Sequence, residues 1–341
     1  VISLRQLAKL CNVSATTASK ALKDDPAISQ ETRQRIRTMA ESLNFRPNRL
    51  ANVIFSGRSQ LFAAVVSRSS WEPFNALIEA AEDHAFDRGY GLLVYNTHDN
   101  VDREIQCLHH ALENRVAGLI VGTANYQANK RHFWEVLEHK VPMVVFNVSL
   151  HDEGIVVVQG DNYDAATQSV RHLMDFGHQN IGHLAEPRQA IENTARYEGY
   201  RDAMIYGGLV PRGDWMRVCQ WSHESGHREA LNLLKSHPEL TAIYCANDIL
   251  ALGAMEAARE VGRKVPDDLS LAGMGDLLAG RLVEPKLTTV HMNNKEIGRT
   301  AVDALLDLQG WDNSKPMPER WQNQLIAGRL VVRDSTGPAP L

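Results

Sequence analysis

Between Asn12 and Leu22 the chain reads Asn-Val-Ser-Ala-Thr-Thr-Ala-Ser-Lys-Ala-Leu, which sets several kinds of polar group along one short predicted helix. Thr16 offers a hydroxyl that donates or accepts, Ala15 a methyl and Lys20 an ammonium, with Thr17 projecting on the same side. Groups of this kind suit base edges in a major groove: the methyl against a thymine methyl, the ammonium toward guanine acceptors. The Ser14 and Ser19 hydroxyls suit phosphates, which set register without reading sequence.

A second set lies where later apolar runs end: Ser67 and Arg68, Asn147, Asn247, and Asp276 beside Gly275, together with Arg196 and Trp221. A guanidinium fork can fix two ligand oxygens at once, and an indole can cover a sugar face. Asn247 serves equally as a helix cap, and Trp221 equally as core.

Nothing comparable supports catalysis. GxxxxGK[ST] and GxSxG are absent, and the 14 histidines form no ligand cluster. His109 and His110 are neighbours on a predicted helix and so point apart. Cys11, Cys107, Cys219 and Cys245 are scattered without a CxxC. The reading is therefore of no enzyme, no metal and no cofactor.

Three helices must position the first set. Ser3 with Gln6 forms a capping box ahead of Leu4, Leu7 and Ala8. Ser14 caps residues 15–22, whose inward side is Ala18, Ala21 and Leu22, and Ser29 caps a helix carrying Ile36, Met39, Ala40 and Leu43. Two short helices with a tight turn, braced by a third, predict a helix-turn-helix, although a plain three-helix bundle with a polar face has the same spacing. Residues 1–60 hold ten Lys/Arg against four Asp/Glu, while the whole chain of 341 residues has a net charge of −5. A basic head on an acidic body fits a polyanion partner for the head alone.

From Leu61 onward, apolar strands alternate with amphipathic helices: strands at 61–66, 92–95, 118–121, 142–146, 180–184, 242–245 and 269–273, and helices at 75–88, 102–115, 131–139, 162–176, 195–206 and 247–261. This alternation predicts an α/β fold of parallel sheets covered on both faces, in two halves that meet near Gly160. Ligands in such sheets bind beyond the strand C-termini, which places the site in the cleft between the halves. No apolar run reaches the ~20 residues that span a bilayer, and none reads as a secretion signal, so a cytoplasmic protein is expected.

Leu4-Arg5-Gln6-Leu7-Ala8, the Asn12–Leu22 run, Glu31-Thr32-Arg33 and Leu43-Asn44-Phe45-Arg46-Pro47-Asn48-Arg49-Leu50-Ala51 closely resemble the headpiece of the lactose-repressor/galactose-repressor family of bacterial transcriptional regulators. The likeness extends to about residue 335. It implies a helix-turn-helix headpiece over 1–46, a hinge and linker over 47–60, and a periplasmic-binding-protein-like core over 61–335. The N-subdomain would take 61–159 and 291–320, and the C-subdomain 160–290 and 321–335. In the hinge, Asn48, Arg49 and Ala51 would meet DNA and Ile54 would match the family's intercalating leucine, an apolar wedge for a minor groove. A helix of about two turns is marginal in water and gains stability from contacts made only in the complex; a linker packed on the core is the other use of these residues.

The resemblance also implies that Asn147, Arg196, Asn247 and Gly275 touch a small sugar-like effector, and that a homodimer binds a pseudo-palindromic double-stranded operator. The tail at 334–341 has two prolines and no leucine heptads, so the tetramer found in one family member is not expected. Many members carry acids at the positions of Asn147 and Gly275, and often at that of Arg68. The less negative cleft leads to the expectation of a sugar acid such as gluconate. A solute-binding protein without a DNA role would account for the core but leave the helix-turn-helix unexplained.

Overall fold

The computed structural model describes residues 2–45, 59–67, 71–122, 131–146, 155–187, 191–311, 317–322 and 324–340. The chain folds as two compact units, Val1–Gln60 and Leu61–Leu341.

In the first unit, α1 (Leu4–Leu10), α2 (Ala15–Leu22) and α3 (Gln30–Ser42) each start at a serine. Ser3 and Gln6 complete the capping box, Ser14 Oγ accepts Thr17 N–H at 3.0 Å, and Ser29 Oγ accepts Thr32 N–H at 3.3 Å. Each cap satisfies a donor that the first helical turn cannot. Asn12 turns the chain between α1 and α2 at φ 51°, a left-handed conformation that asparagine tolerates. Leu7, Cys11, Ala21, Ile36 and Ala40 make the buried core, with Val13, Leu22, Met39 and Leu43 packed around them.

The second unit holds two parallel sheets. The larger comprises β1 (Leu61–Val66), β2 (Gly91–Asn96), β3 (Gly118–Gly122), β4 (Met143–Phe146), β5 (Val156–Gly160) and β11 (Gln324–Ile326), in the order β11-β5-β4-β3-β1-β2. The smaller has β6 (Ile181–Ala185), β7 (Met216–Val218), β8 (Ala242–Cys245) and β9 (Ser270–Ala272), in the order β7-β6-β8-β9. A short antiparallel pair, β10 (Thr289–His291) with β12 (Arg329–Val331), stands beside them.

Helices α4 (Glu72–Phe86), α5 (Val101–Glu113), α6 (Arg131–Glu138) and α12 (Asn294–Asp307) belong with the first sheet. With the second go α7 (Asn162–Asp175), α8 (Ile191–Tyr206), α9 (His223–Ser236) and α10 (Asp248–Glu260). A fifth, short helix, α11 (Leu278–Leu282), follows β9. Gly298 lets α12 lie directly on α4, since a Cβ there would stand 2.2 Å from the Leu77 carbonyl oxygen.

One boundary differs from the expectation. The family resemblance places residues 321–335 in the second half, yet Gln324–Ile326 pair in register with Val158–Gly160 of the first sheet. The chain therefore recrosses between Ile326 and Arg329. A three-residue strand fits any open sheet edge, and the free side of β5 decides which one it joins. The final segment then docks on the second lobe, with Ser335 Oγ donating to Leu271 O at 2.6 Å and Ala339 N–H to Phe176 O at 2.8 Å. His178, buried there, bridges Thr241 Oγ1, Ser270 Oγ and Gly337 O.

Candidate DNA-reading surface and effector cleft

Helix α2 buries Ala18 and Ala21, and these small residues let it lie close to α1. Thr16 and Lys20 are exposed on its other side, with Ala15, Thr17 and Ser19 half-buried. The Ser14 and Thr17 hydroxyls lie 2.8 Å apart and form a small polar platform at the helix start. Lys20 Nζ is 3.5 Å from an Asp25 carboxylate oxygen. Asp25 sits below its ordinary pKa, chiefly because it accepts the Ala27 N–H, with Lys20 adding attraction. Water screens a surface pair of this kind, so Lys20 can exchange it for a guanine at little cost. Arg33 and Arg37 of α3 both pair with Asp24, just past the end of α2.

In the second unit a cleft opens between the lobes beyond the C-terminal ends of β5, β6 and β8. Arg196 of α8, Asn162 at the start of α7, Asn247 after β8, Gly275 after β9 and Trp221 line it from the second lobe, and Trp71 and Phe74 from the first. Trp71 and Trp221 meet edge-to-face across it, ring centroids 5.3 Å apart. Glu72 of α4 accepts the Leu278 N–H of α11 at 3.0 Å, a second contact joining the lobes beside the tryptophans.

Arg196 is held on several sides. Its Nε donates to Asn162 Oδ1 at 3.0 Å; its Nη1 donates to Glu186 Oε2 at 2.9 Å and to Ala246 O at 3.0 Å. Asn247 Nδ2 donates to the other Glu186 oxygen, and Asn247 Oδ1 accepts the Leu250 N–H at 2.9 Å. Asn247 therefore caps α10 and lines the cleft together, so both uses predicted for it coexist. Burial pushes Glu186 above the usual carboxylate range, with Arg196 and Asn247 pulling the other way.

Beneath Gly275 lies Asp248. Its carboxylate accepts the Thr289 hydroxyl at 2.6 Å and the Leu277 N–H at 2.7 Å, and burial still pushes it up to about 6. Between the ordinary 3.8 and about 6, the folded protein binds more protons than the unfolded chain. Stability from this group is thus present below about pH 4 and lost as pH rises through about 6, on the order of 3 kcal/mol in all. Asp248→Asn should remove that slope from urea unfolding of the second unit between pH 4 and 7. An unchanged slope in the variant would assign the pH dependence to other groups.

Residues 3–48 match the bacterial regulatory proteins of the lacI family, and residues 170–336 match the periplasmic binding protein-like domain. The chain is 29% identical over 306 residues to the HTH-type transcriptional repressor PurR of Pasteurella multocida, covering 89% of this chain and 91% of that one. It superposes on the lac repressor dimer bound to operator and the anti-inducer ONPF with a TM-score of 0.83 and 27% identity, over 98% of this chain and 99% of that one. The chain belongs to the lacI family.

A more distant match, the transcriptional regulator CelR–cellobiose complex, shares the fold at 23% identity and a TM-score of 0.72, over 98% of this chain and 100% of that one. As a lacI-family protein, the chain is a DNA-binding transcriptional repressor with a ligand-binding core. No group of three His, Cys, Asp or Glu among the described residues is placed to hold a metal.

Of the predicted effector residues, the fold brings Arg196, Trp221, Asn247 and Gly275 together in one cleft. Ser67 is buried at the end of β1, where its carbonyl accepts the His98 N–H at 2.9 Å, and does not line the cleft. Asp276 is turned away. Its carboxylate binds Arg333, Arg281 at 2.8 Å and His291 at 3.1 Å; burial opposes ionisation, but the two arginines hold it below its ordinary pKa. It is a structural anion and not a substitute cleft carboxylate. Arg68 and Asn147 lie outside the described residues, as do Asn48, Arg49, Ala51 and Ile54 of the expected hinge.

Sequence reasoning missed Trp71, Asn162 and Glu186. The position of Asn162 straight after β5 could have flagged it, had that strand been recognised. For Glu186, which follows β6, the strand-end rule applied but an acid before proline reads as a surface turn. The sugar-acid expectation is not supported: it rests on a less negative cleft, and Glu186 supplies a negative charge beside Arg196.

Proposed function

We propose that this repressor binds a pseudo-palindromic operator as a homodimer and that a small, polar, ring-shaped effector in the cleft, sugar-like in its hydrogen bonding, sets its operator affinity. One observation carries the effector reading: Arg196, Asn162 and Asn247 converge on a cleft flanked by Trp71 and Trp221. Fixed polar groups orient a ring through its hydroxyls, while indoles cover its apolar face. A purine-type effector is the second reading, favoured by the PurR relatives and by the aromatic flanks, which also suit a flat heterocycle. A two-fold dimer doubles the contacts of a single small headpiece and sets half-site spacing. Effector alters operator affinity only by binding two states of the protein unequally.

Fluorescence-anisotropy titration of selected operator DNA, repeated with sugars, sugar acids, sugar phosphates and purine bases, tests the whole reading. One compound that tightens or loosens the complex identifies the effector class and the sign of coupling. Response to none, with operator binding intact, would remove the effector role from the cleft.

For the headpiece, Lys20→Ala should relax base preference at one operator position and weaken specific binding by about 1–3 kcal/mol. Competition against a randomised operator library checks this. Unchanged preference would take Lys20 out of the readout and leave Thr16 and Ala15 as the base-contacting residues.

A further inference from the structure

Among the described residues lining the cleft, Arg196 is the one charged side chain. Behind it stands Glu186, itself 1% exposed, whose two carboxylate oxygens are taken by Arg196 and Asn247. We propose that Glu186 determines effector specificity by charge: it balances Arg196, so that the cleft selects an uncharged ring and discriminates against anions. The inference rests on reading the cleft as the effector site.

Geometry and electrostatics lead to the same result. A bidentate grip on a carboxylate or phosphate needs donors from two guanidinium nitrogens. In Arg196 the Nε donor is committed to Asn162, and both Nη1 donors are committed to Glu186 and Ala246. An incoming anion would have to displace at least one of these bonds. It would also lose its hydration in a cleft whose positive charge already has a negative partner at 2.9 Å. A hydroxyl, carbonyl or ring nitrogen carries no such desolvation cost and needs only a single donor. By fixing the Asn247 amide as well, Glu186 presents one polar face of constant shape and no net charge.

The test uses the full chain, with inorganic phosphate and D-gluconate as anionic probes and D-glucose as an uncharged control at matched ionic strength. Tryptophan fluorescence and thermal shift are the readouts. Glu186→Gln keeps the shape and the acceptor for Asn247 while removing one negative charge. Wild type should show no saturable response to either anion. The variant should gain affinity for phosphate or gluconate by at least roughly tenfold. The double variant Glu186→Gln/Arg196→Met should lose that gain.

Saturable anion binding by the wild type that the double variant abolishes would overturn the proposal. So would a folded Glu186→Gln protein that gains nothing. Should Glu186→Gln fail to fold, the comparison of wild type with the double variant decides alone. Operator binding by the same samples reports separately on the repressor reading: a gain in anion affinity without operator selection would uphold Glu186 and sink that reading.

Discussion

Ile36→Ala is expected to unfold the headpiece and abolish specific operator binding while leaving the effector unit folded. Ile36 is fully buried where α3 meets α1 and α2, in a cluster whose other buried members are Leu7, Cys11, Ala21 and Ala40. Three of the five are cysteine or alanine, so the isoleucine contributes a large share of the apolar surface. Truncating a buried isoleucine to alanine costs about 2–5 kcal/mol. A unit of about 60 residues buries a smaller fraction of its surface than a large domain and is only marginally stable, so this loss is comparable to its whole stability. Calorimetry should show the headpiece transition lost and the larger unit's transition kept. Operator affinity equal to wild type would show that the headpiece core tolerates the cavity.

Arg196→Met carries the second large effect. The change leaves Glu186 buried beside Asn247 with a charge that Arg196 no longer balances. Removing one partner of a buried ion pair costs about 3–5 kcal/mol, most of it the penalty on the group left behind. Adding Glu186→Gln to Arg196→Met should restore most of that stability, because a neutral amide has no such penalty. Urea unfolding of wild type, both single variants and the double variant gives the coupling energy directly. A coupling near zero would mean that water reaches Glu186 and that the pair is not closed. Both variants lacking Arg196 should also lose the effector response, which separates the residue's role in binding from its role in stability.

The headpiece was legible almost residue by residue. Its helices are short, each begins at a serine that caps its own first turn, and its apolar spacing repeats every three or four residues. Caps and periodicity act over about ten residues, so a reader of the chain sees all their partners at once. Most of the longer strands and helices of the second unit were legible for the same reason, with ends displaced by a few residues, but β5, α9 and α12 were not. Helix α4, for instance, begins at Glu72 and not at Asn75, since Pro73 suits a first turn. Asn247 and Gly275, singled out because they follow strand ends, both line the cleft.

What remained hidden depended on partners far away in sequence. Glu186 reads as a surface acid until Arg196 and Asn247 close over it from two other elements. Asp276 reads as a cleft carboxylate until Arg333, 57 residues later, takes one of its oxygens. Gln324–Ile326 has no feature that selects one sheet over another; the free edge of β5 does. The sequence by itself determined most local elements, the family and four of the cleft residues, Arg196, Trp221, Asn247 and Gly275. Only the tertiary structure decided which charges are neutralised and which sheet each late strand joins. A side chain's charge is encoded locally, but whether it is exposed to a ligand or spent on a neighbour depends on which elements pack together.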